Sequence, residues 1–194
     1  MNTATASSTL PRPPSRSAYY KARHDLALEL ERDGIIPIAT SNNPTLGPLT
    51  KELIEKSATC MQMLVTINDV SCDAMAGVPN KGDSFAEALA RFMGKPLVMM
   101  KKYEHNGKRH IASLKGKVSA TVKNVALIDD FVVGADSKVE AVRILQSAKI
   151  AVNDVIVLVD YEQGGYDQLM EWGCHLHAVF TISELRDFTS TPME

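Results

Sequence analysis

Two adjacent carboxylates, Asp129 and Asp130, are the side chains of this chain best placed for chemistry. They follow the apolar run VALI at residues 125–128, which predicts a strand buried on both faces of a parallel sheet. Residues 131–136 then form a predicted loop, and residues 137–148 a helix with one apolar side. Ligands of open α/β sheets bind beyond the carboxyl ends of strands, and a loop that enters a helix offers N–H groups to a phosphate. This order predicts a site for a sugar phosphate and its magnesium ion.

The elements that must hold this pair are short apolar runs and amphipathic segments, separated by turns. Pro37 confines one predicted strand to a sheet edge, whereas the four apolar residues that follow Pro96 suit a central strand. The predicted strands are residues 35–40, 61–67, 73–76, 96–100 and 125–128, and the predicted helices are residues 19–33, about 46–58, 84–93, 137–148 and 166–172.

Two polar segments are candidates for contacts with an anion. In GVPNKGD, residues 77–83, the small residues let backbone N–H groups approach an anion, and Lys81 adds a charge. The alternative is a plain turn, with Asp83 as the N-cap of the next helix. KKYEHNGKRH, residues 101–110, is either a solvated hairpin or a loop that closes over a polyanion and stabilises a leaving diphosphate.

Composition narrows the class of protein. The 194 residues form one ordinary domain, with 45% hydrophobic and 23% charged residues. A net charge of −2 argues against a nucleic-acid-binding surface, and no apolar run approaches the ~18 residues of a membrane span. The three cysteines are odd in number and far apart, so we expect free thiols in a reducing compartment, the cytoplasm. No group of His, Cys or carboxylate side chains has the spacing of a metal site.

The N-terminal segment differs in composition from the rest. Residues 1–18 are rich in Ser, Thr, Ala and Pro and are predicted to be a disordered tail, so that residues 19–194 form the single domain. Two arginines with no acidic residue before Asp25 leave an organelle transit peptide as an alternative.

Three stretches resemble the type I phosphoribosyltransferases. VALIDDFVVGADSKVEAV resembles their phosphoribosyl-diphosphate-binding signature, and AGVPNKGDSFAEALA resembles their diphosphate-binding loop and helix. VIVLVDYEQGGYDQLMEWGCHLHAVFTISEL is similar to the last strands of orotate phosphoribosyltransferases, so the resemblance covers residues 72–185. It implies an α/β fold: a mostly parallel five-stranded sheet flanked by helices, with a small hood made by the N-terminal helices and the last strand.

The resemblance also implies roles for residues. The acidic pair binds the ribose hydroxyls and stabilises the transition state, magnesium arrives with the diphosphate substrate, and the enzyme is a homodimer whose catalytic loop reaches the neighbouring subunit. The partners implied are phosphoribosyl diphosphate and a nitrogenous base. The implied catalytic residues are Asp129, Asp130 and Lys101, and the implied substrate-binding residues are Lys81, Gly82, Gly134, Ser137 and Tyr161.

Four positions depart from the family pattern. Glu104 stands in place of the loop lysine, Val133 in place of a phosphate-binding threonine, and Tyr161 in place of the arginine that holds the orotate carboxylate. Asp136 lies where phosphate oxygens are expected, and its other interpretation is a helix N-cap paired with Glu140.

Two hypotheses follow from this balance. The first is an orotate-type enzyme that transfers phosphoribosyl from phosphoribosyl diphosphate to a pyrimidine-type base. The alternative is a catalytically inactive protein of the same fold with a ligand-sensing, regulatory or scaffolding role.

Overall fold

The computed structural model describes residues 14–36 and 47–190, which form six helices and seven strands. The elements in chain order are α1 Arg16–Arg32, α2 Lys51–Ile67, β1 Ala74–Gly77, α3 Lys81–Met93, β2 Leu97–Val98, β3 Met100–His105, β4 Lys108–Leu114, β5 Asn124–Val132, α4 Asp136–Ser147, β6 Ala151–Asp160, α5 Gly165–Glu171, β7 His175–Thr181 and α6 Ile182–Ser190. Within the described part of the chain, no helix is both long and apolar enough to cross a membrane.

Five parallel strands form the main sheet in the order β2-β1-β5-β6-β7. This confirms the predicted parallel five-stranded α/β fold. The predicted central position of the strand after Pro96 is wrong, because β2 has two residues and lies at the sheet edge. β5 occupies the centre, and its apolar run is buried on both faces.

Each face of the sheet is covered by its own helices. Ala126 and Ile128 of β5 pack into a core with α1, α2, α3 and α6. Val125 and Leu127 alternate to the opposite face and pack with α4 and α5. Alternation of side chains along a strand explains why a strand covered on both faces has a continuous apolar run.

Helix α2 corrects one predicted strand. Residues 61–67 were predicted as a strand but form the second half of α2, which begins after the N-cap Thr50. The hydroxyl of Thr50 accepts a hydrogen bond from the Leu53 N–H at 3.1 Å. Buried Cys60, Met61 and Leu64 have helical spacing, but a short apolar run does not reveal its period from sequence alone.

The hood is formed by helices rather than by the last strand. β7 was predicted to belong to it but is the fifth strand of the main sheet, and α6 packs against α1 instead. The Arg23 guanidinium donates to the Glu184 carboxylate at 2.6 Å across this contact. Tyr20 of α1 is 57% exposed, and its ring lies 5.4 Å from that of Phe188 of α6, between centroids.

The start of α1 also differs from the prediction. The hydroxyl of Ser15 accepts from the Ala18 N–H at 3.1 Å and caps the helix, so residues 16–18, assigned to the tail, are helical. The rest of the predicted tail, residues 1–13, lies outside the described residues. So does most of the predicted strand at residues 35–40, of which Ile35 and Ile36 are described and are buried outside any strand.

Strands β3 and β4 form a separate antiparallel hairpin. Asn106 and Gly107, with φ of 51° and 70°, make its two-residue turn, for which an Asn-Gly pair is well suited. The pairing shifts register between Lys101 and Lys102. Of the two interpretations of residues 101–110, the hairpin describes the structure.

Candidate active site

The acidic pair lies in the last part of β5, beyond its pairing with β1. β1 ends at Gly77, which pairs with Ile128, whereas β5 continues to Val132. Asp129 and Asp130 are therefore inside a longer strand than predicted, but they have no neighbouring strand on the β1 side. They are only 5% and 6% exposed. β5 thus extends beyond β1 at this end of the sheet, and both carboxylates belong to the extension.

The turn after β1 packs directly against this extension of β5. The Val78 N–H donates to the Ile128 carbonyl at 2.9 Å. A Cβ at Gly82 would lie 2.6 Å from the Ile128 oxygen and 2.9 Å from Asp129 Oδ1, so only glycine fits here. Gly82 is needed for close packing, and its predicted contact with diphosphate stays a prediction.

Asn80 holds the turn in a strained conformation. Its φ of 102° and ψ of −101° are unusual for a residue with a side chain, and such strain concentrates at ligand-binding loops. Its N–H donates to Asp83 Oδ2 at 3.3 Å. The predicted N-cap, Asp83, is the third residue of α3, because the helix begins at Lys81 with Asn80 as its N-cap. Burial raises the pKa of Asp83, against the opposing effects of the Asn80 N–H and Lys102.

A lysine from the hairpin reaches the same turn. The Lys102 ammonium donates to the Asn80 side-chain oxygen. Lys101, the predicted catalytic lysine, lies one residue earlier on β3 and is exposed. The register shift between the two residues decides which side chain points to the turn, and the sequence carries no signal for it.

Lys138 is a buried cation beside the acidic pair. It is 4% exposed, and its ammonium lies 2.6 Å from Asp129 Oδ2. It also donates to the Phe131 carbonyl. In sequence it is an ordinary polar position in the first turn of α4, so nothing predicted that it forms a buried ion pair with Asp129.

The second carboxyl of the pair has an altered proton affinity. Burial and the neighbouring Asp129 raise the pKa of Asp130 to about 7, although Lys138 and the Phe131 N–H oppose the shift. That N–H donates to Asp130 Oδ1 at 2.9 Å. A carboxyl that titrates near neutral pH suits general acid–base chemistry.

The loop after β5 is closed by a side chain from α5. The Ala135 N–H donates to Gln168 Oε1 at 2.5 Å. Gly134, a predicted phosphate contact, also lies next to this oxygen, which would be 3.5 Å from a Cβ at that position. The amide oxygen thus takes an N–H group of the loop that was predicted to offer its N–H groups to a phosphate.

Asp136 does not cap α4 as predicted. It is the first residue of the helix, the N-cap is Ala135, and no side-chain hydrogen bond caps the helix there. Its predicted partner Glu140 instead contacts His110 of β4, with Oε1 3.2 Å from Nδ1. This contact ties the hairpin to α4.

Two glycines shape the turn between β6 and α5. Gly164 has a φ of 89°, which favours glycine, and a Cβ at Gly165 would lie 2.3 Å from Val132 Cγ2. The turn brings α5, and with it Gln168, against the loop after β5.

Tyr161 lies beside the acidic pair. It is 5% exposed, and its ring meets the Phe131 ring edge to face at 5.7 Å between centroids. Its hydroxyl has no hydrogen-bond partner among the residues that the structure describes. Burial and the charge of Asp130 raise the pKa of Tyr161 to about 12, so the hydroxyl stays a donor at neutral pH.

The acidic pair, Lys138 and the turn after β1 line a cleft of about 280 Å³. Four of the eight predicted site residues line it, whereas the other four, Gly82, Lys101, Gly134 and Tyr161, are outside its lining. The lining residues are Pro79, Asn80, Lys81, Asp129, Asp130, Phe131, Ser137 and Lys138. A second cleft of about 590 Å³ lies between the hairpin and α4 and shares Pro79 and Ser137 with the first.

The acidic pair is a poor match for a magnesium ion held by the protein. Asp129 already binds the Lys138 ammonium through one oxygen and the Asp130 N–H, at 3.0 Å, through the other. A dication beside that ammonium meets repulsion, and hard cations need several free oxygen ligands. Nowhere in residues 14–36 and 47–190 do three or more His, Cys, Asp or Glu side chains form a group that could hold a metal.

Comparison with known proteins places these features in a family. No protein-family model matches the chain. The orotate phosphoribosyltransferase of Halobacterium salinarum is 30% identical over 142 residues, which cover 71% of this chain and 79% of that protein. The bifunctional enzyme PyrF/PyrE of Nostoc is 32% identical over 120 residues, 61% of this chain, and the match spans only 24% of the Nostoc enzyme.

A solved structure supports the same assignment at the level of the fold. The orotate phosphoribosyltransferase of Mycobacterium tuberculosis, solved with 5-phospho-α-D-ribosyl 1-diphosphate, has a TM-score of 0.62 at 17% identity. The match covers 85% of this chain and 92% of that one. The chain therefore belongs to the orotate phosphoribosyltransferase family, within the type I phosphoribosyltransferases.

Proposed function

We propose that this protein transfers the phosphoribosyl group from phosphoribosyl diphosphate to a pyrimidine-type base. One observation carries the proposal: buried carboxylates and lysine side chains from separate elements converge on one cleft. Asp129 and Asp130 come from β5, Lys81 from α3 and Lys138 from α4. Lys102 of the hairpin reaches the adjacent Asn80.

The two kinds of charge match the two halves of the sugar diphosphate. Carboxylate oxygens accept hydrogen bonds from ribose hydroxyls, and lysine ammonium groups attract diphosphate oxygens. Lys81 and Lys102 lie on the side of the turn after β1, where the leaving diphosphate is placed by this proposal. A base then attacks from the side of Tyr161.

The chemistry is an exchange of bonds at the anomeric carbon. The bond from C1 to the diphosphate oxygen breaks, a bond from C1 to a ring nitrogen of the base forms, and the nitrogen loses its proton. Positive charge develops on the sugar, and the ionised Asp130 carboxylate stabilises it. With a pKa of about 7, Asp130 is also the group of this cleft suited to accept the proton.

Tyr161 favours a base without a carboxylate. Its hydroxyl is a single uncharged donor with no partner in the described part of the chain. Such a group matches one carbonyl of a neutral pyrimidine, whereas a carboxylate is best held by the paired donors of arginine. Uracil is therefore the first base to compare with orotate.

A second candidate function rests on Gln168. Its amide oxygen accepts the Ala135 N–H, which removes a donor from the loop expected to hold the 5-phosphate. If this hydrogen bond persists with ligand present, the protein binds a sugar phosphate weakly or without turnover. The function would then be sensing or scaffolding.

Diphosphate release from phosphoribosyl diphosphate tests the proposal. We expect release that depends on added uracil or orotate, loss of release in Asp130→Asn, and unchanged release in Asp167→Asn, an exposed carboxylate on α5. No release with any pyrimidine from a folded protein that binds the sugar diphosphate would favour the sensing function.

The proposal extends to setting and assembly. The three cysteines are free and buried, which supports a reducing compartment such as the cytoplasm. A homodimer is part of the proposal because the resemblance implies one, and sedimentation at equilibrium measures it.

A further inference from the structure

We propose that the buried ammonium of Lys138 takes the place of the divalent cation at the acidic pair, so that the cleft binds its sugar diphosphate without magnesium. The inference rests on the proposed function, because it concerns the same cleft and the same ligand. It replaces the magnesium that the resemblance implies.

Burial and the start of a helix both disfavour a charged lysine at position 138. It lies in the first turn of α4, where the helix dipole repels a cation, and it is 4% exposed. The Asp129 carboxylate at 2.6 Å and the Phe131 carbonyl compensate for this cost. The ring of Phe131 adds a cation–π contact at 5.7 Å from Nζ. The ammonium is therefore fixed in place.

Lys138 also borders the cleft. Lys138 belongs to the lining together with Asn80, Lys81 and Ser137. An ammonium has three N–H donors, and the described residues accept two of them, through Asp129 and Phe131. The third donor is left for a ligand oxygen.

The same contact makes Asp129 unsuited to recruit a metal. Its Oδ2 faces the ammonium, and its Oδ1 accepts the Asp130 N–H at 3.0 Å. A divalent ion could reach this carboxylate only by displacing Lys138 or by lying beside it. The first breaks a buried ion pair, and the second places like charges in contact.

Titration calorimetry with phosphoribosyl diphosphate, in EDTA and in magnesium, tests the inference. For the wild-type protein we expect dissociation constants that agree within about threefold between the two conditions, because the fixed charge is already present. Lys138→Met should bind at least about tenfold more weakly in EDTA and regain affinity in magnesium, which can then reach Asp129. Lys123→Met, an exposed lysine next to the far end of β5, is the matched control and should behave as wild type.

A further variant separates loss of folding from loss of the ammonium. Asp129→Asn/Lys138→Met removes both charges and leaves no buried unpaired ion, so it should fold, bind weakly in EDTA and gain nothing from magnesium. Wild-type binding that requires magnesium would overturn the inference and leave the proposed function intact. No binding by the wild-type protein in either condition would overturn the proposed function and the inference with it.

Discussion

Two loops meet at the acidic pair, and they differ in how many of their polar groups are available to a ligand. The turn after β1, residues 78–80, carries a strained Asn80 and receives Lys102 from the hairpin. The loop after β5, residues 133–135, has no hydroxyl side chain, and its Ala135 N–H is taken by Gln168. The turn after β1 has the features of an anion site. In the loop after β5, the Ala135 N–H is already bonded to a side chain of the protein.

The comparison shows that two loops beside one cleft differ in which of their polar groups already contact other side chains of the protein. The first loop is followed by Gly82, which packs tightly against Ile128 and Asp129 of β5. Beside the second loop, a lysine on α4 contacts Asp129, and an amide on α5 accepts the Ala135 N–H. Substitutions in or beside each loop test this difference.

The largest effect is expected from Lys138, the lysine beside the loop after β5. Lys138→Met leaves Asp129 charged and unpaired at 5% exposure, which should lower the free energy of unfolding by about 3–5 kcal/mol. Adding Asp129→Asn should restore most of this loss. Urea denaturation of both variants measures it, and equal losses in the single and double variants would contradict the ion pair.

Asp130 should make stability depend on pH. Its folded pKa, about 7, lies above the ordinary value of 3.8, so the folded state holds the proton more tightly between these values. Stability is therefore fully present below about pH 4 and is lost as the pH rises through 7, by roughly 2–4 kcal/mol relative to Asp130→Asn. The difference between the two proteins in urea midpoints across this range isolates the group. A difference that is constant with pH would place its pKa in the ordinary range.

A pair of glycine variants contrasts the two loops directly. Gly82→Ala puts a methyl group 2.6 Å from the Ile128 oxygen and should cost about 1–3 kcal/mol through displaced backbone. Gly134→Ala meets only the flexible end of Gln168 at 3.5 Å and should cost less than about 1 kcal/mol. Equal costs, measured by urea denaturation, would show that the two loops are equally constrained.

The smallest effect on stability is expected from Gln168→Ala. It frees the Ala135 N–H at a cost of about 0.5–1.5 kcal/mol, the net value of one hydrogen bond. Because the donor becomes available, affinity for inorganic phosphate should rise, and calorimetry measures it. Weaker phosphate binding in this variant would mean that the amide helps to hold the anion.

Part of this architecture could be predicted from sequence because it follows local rules. A continuous apolar run before Asp129 indicates a strand buried on both faces, and the small residues of GVPNKGD indicate a close backbone approach, which Gly82 makes to β5. The second half of α2 was predicted as a strand because a short apolar run fits either period. These failures and successes are local.

The rest of the site could not be predicted because it depends on contacts between distant segments. Gln168 reaches Ala135 only through the pairing of β5 with β6. Lys102 rather than Lys101 contacts Asn80 because of a register shift in the hairpin. Lys138 looks like a solvated helix residue until β5 places Asp129 beneath it.

Titration of the wild-type protein with phosphoribosyl diphosphate tests the central claim, that the cleft at the acidic pair binds a sugar diphosphate, most directly. The account predicts saturable binding that weakens by about tenfold or more in Asp130→Asn and is unchanged in Asp167→Asn. No heat of binding at millimolar ligand, with the protein shown to be folded by circular dichroism, would contradict it.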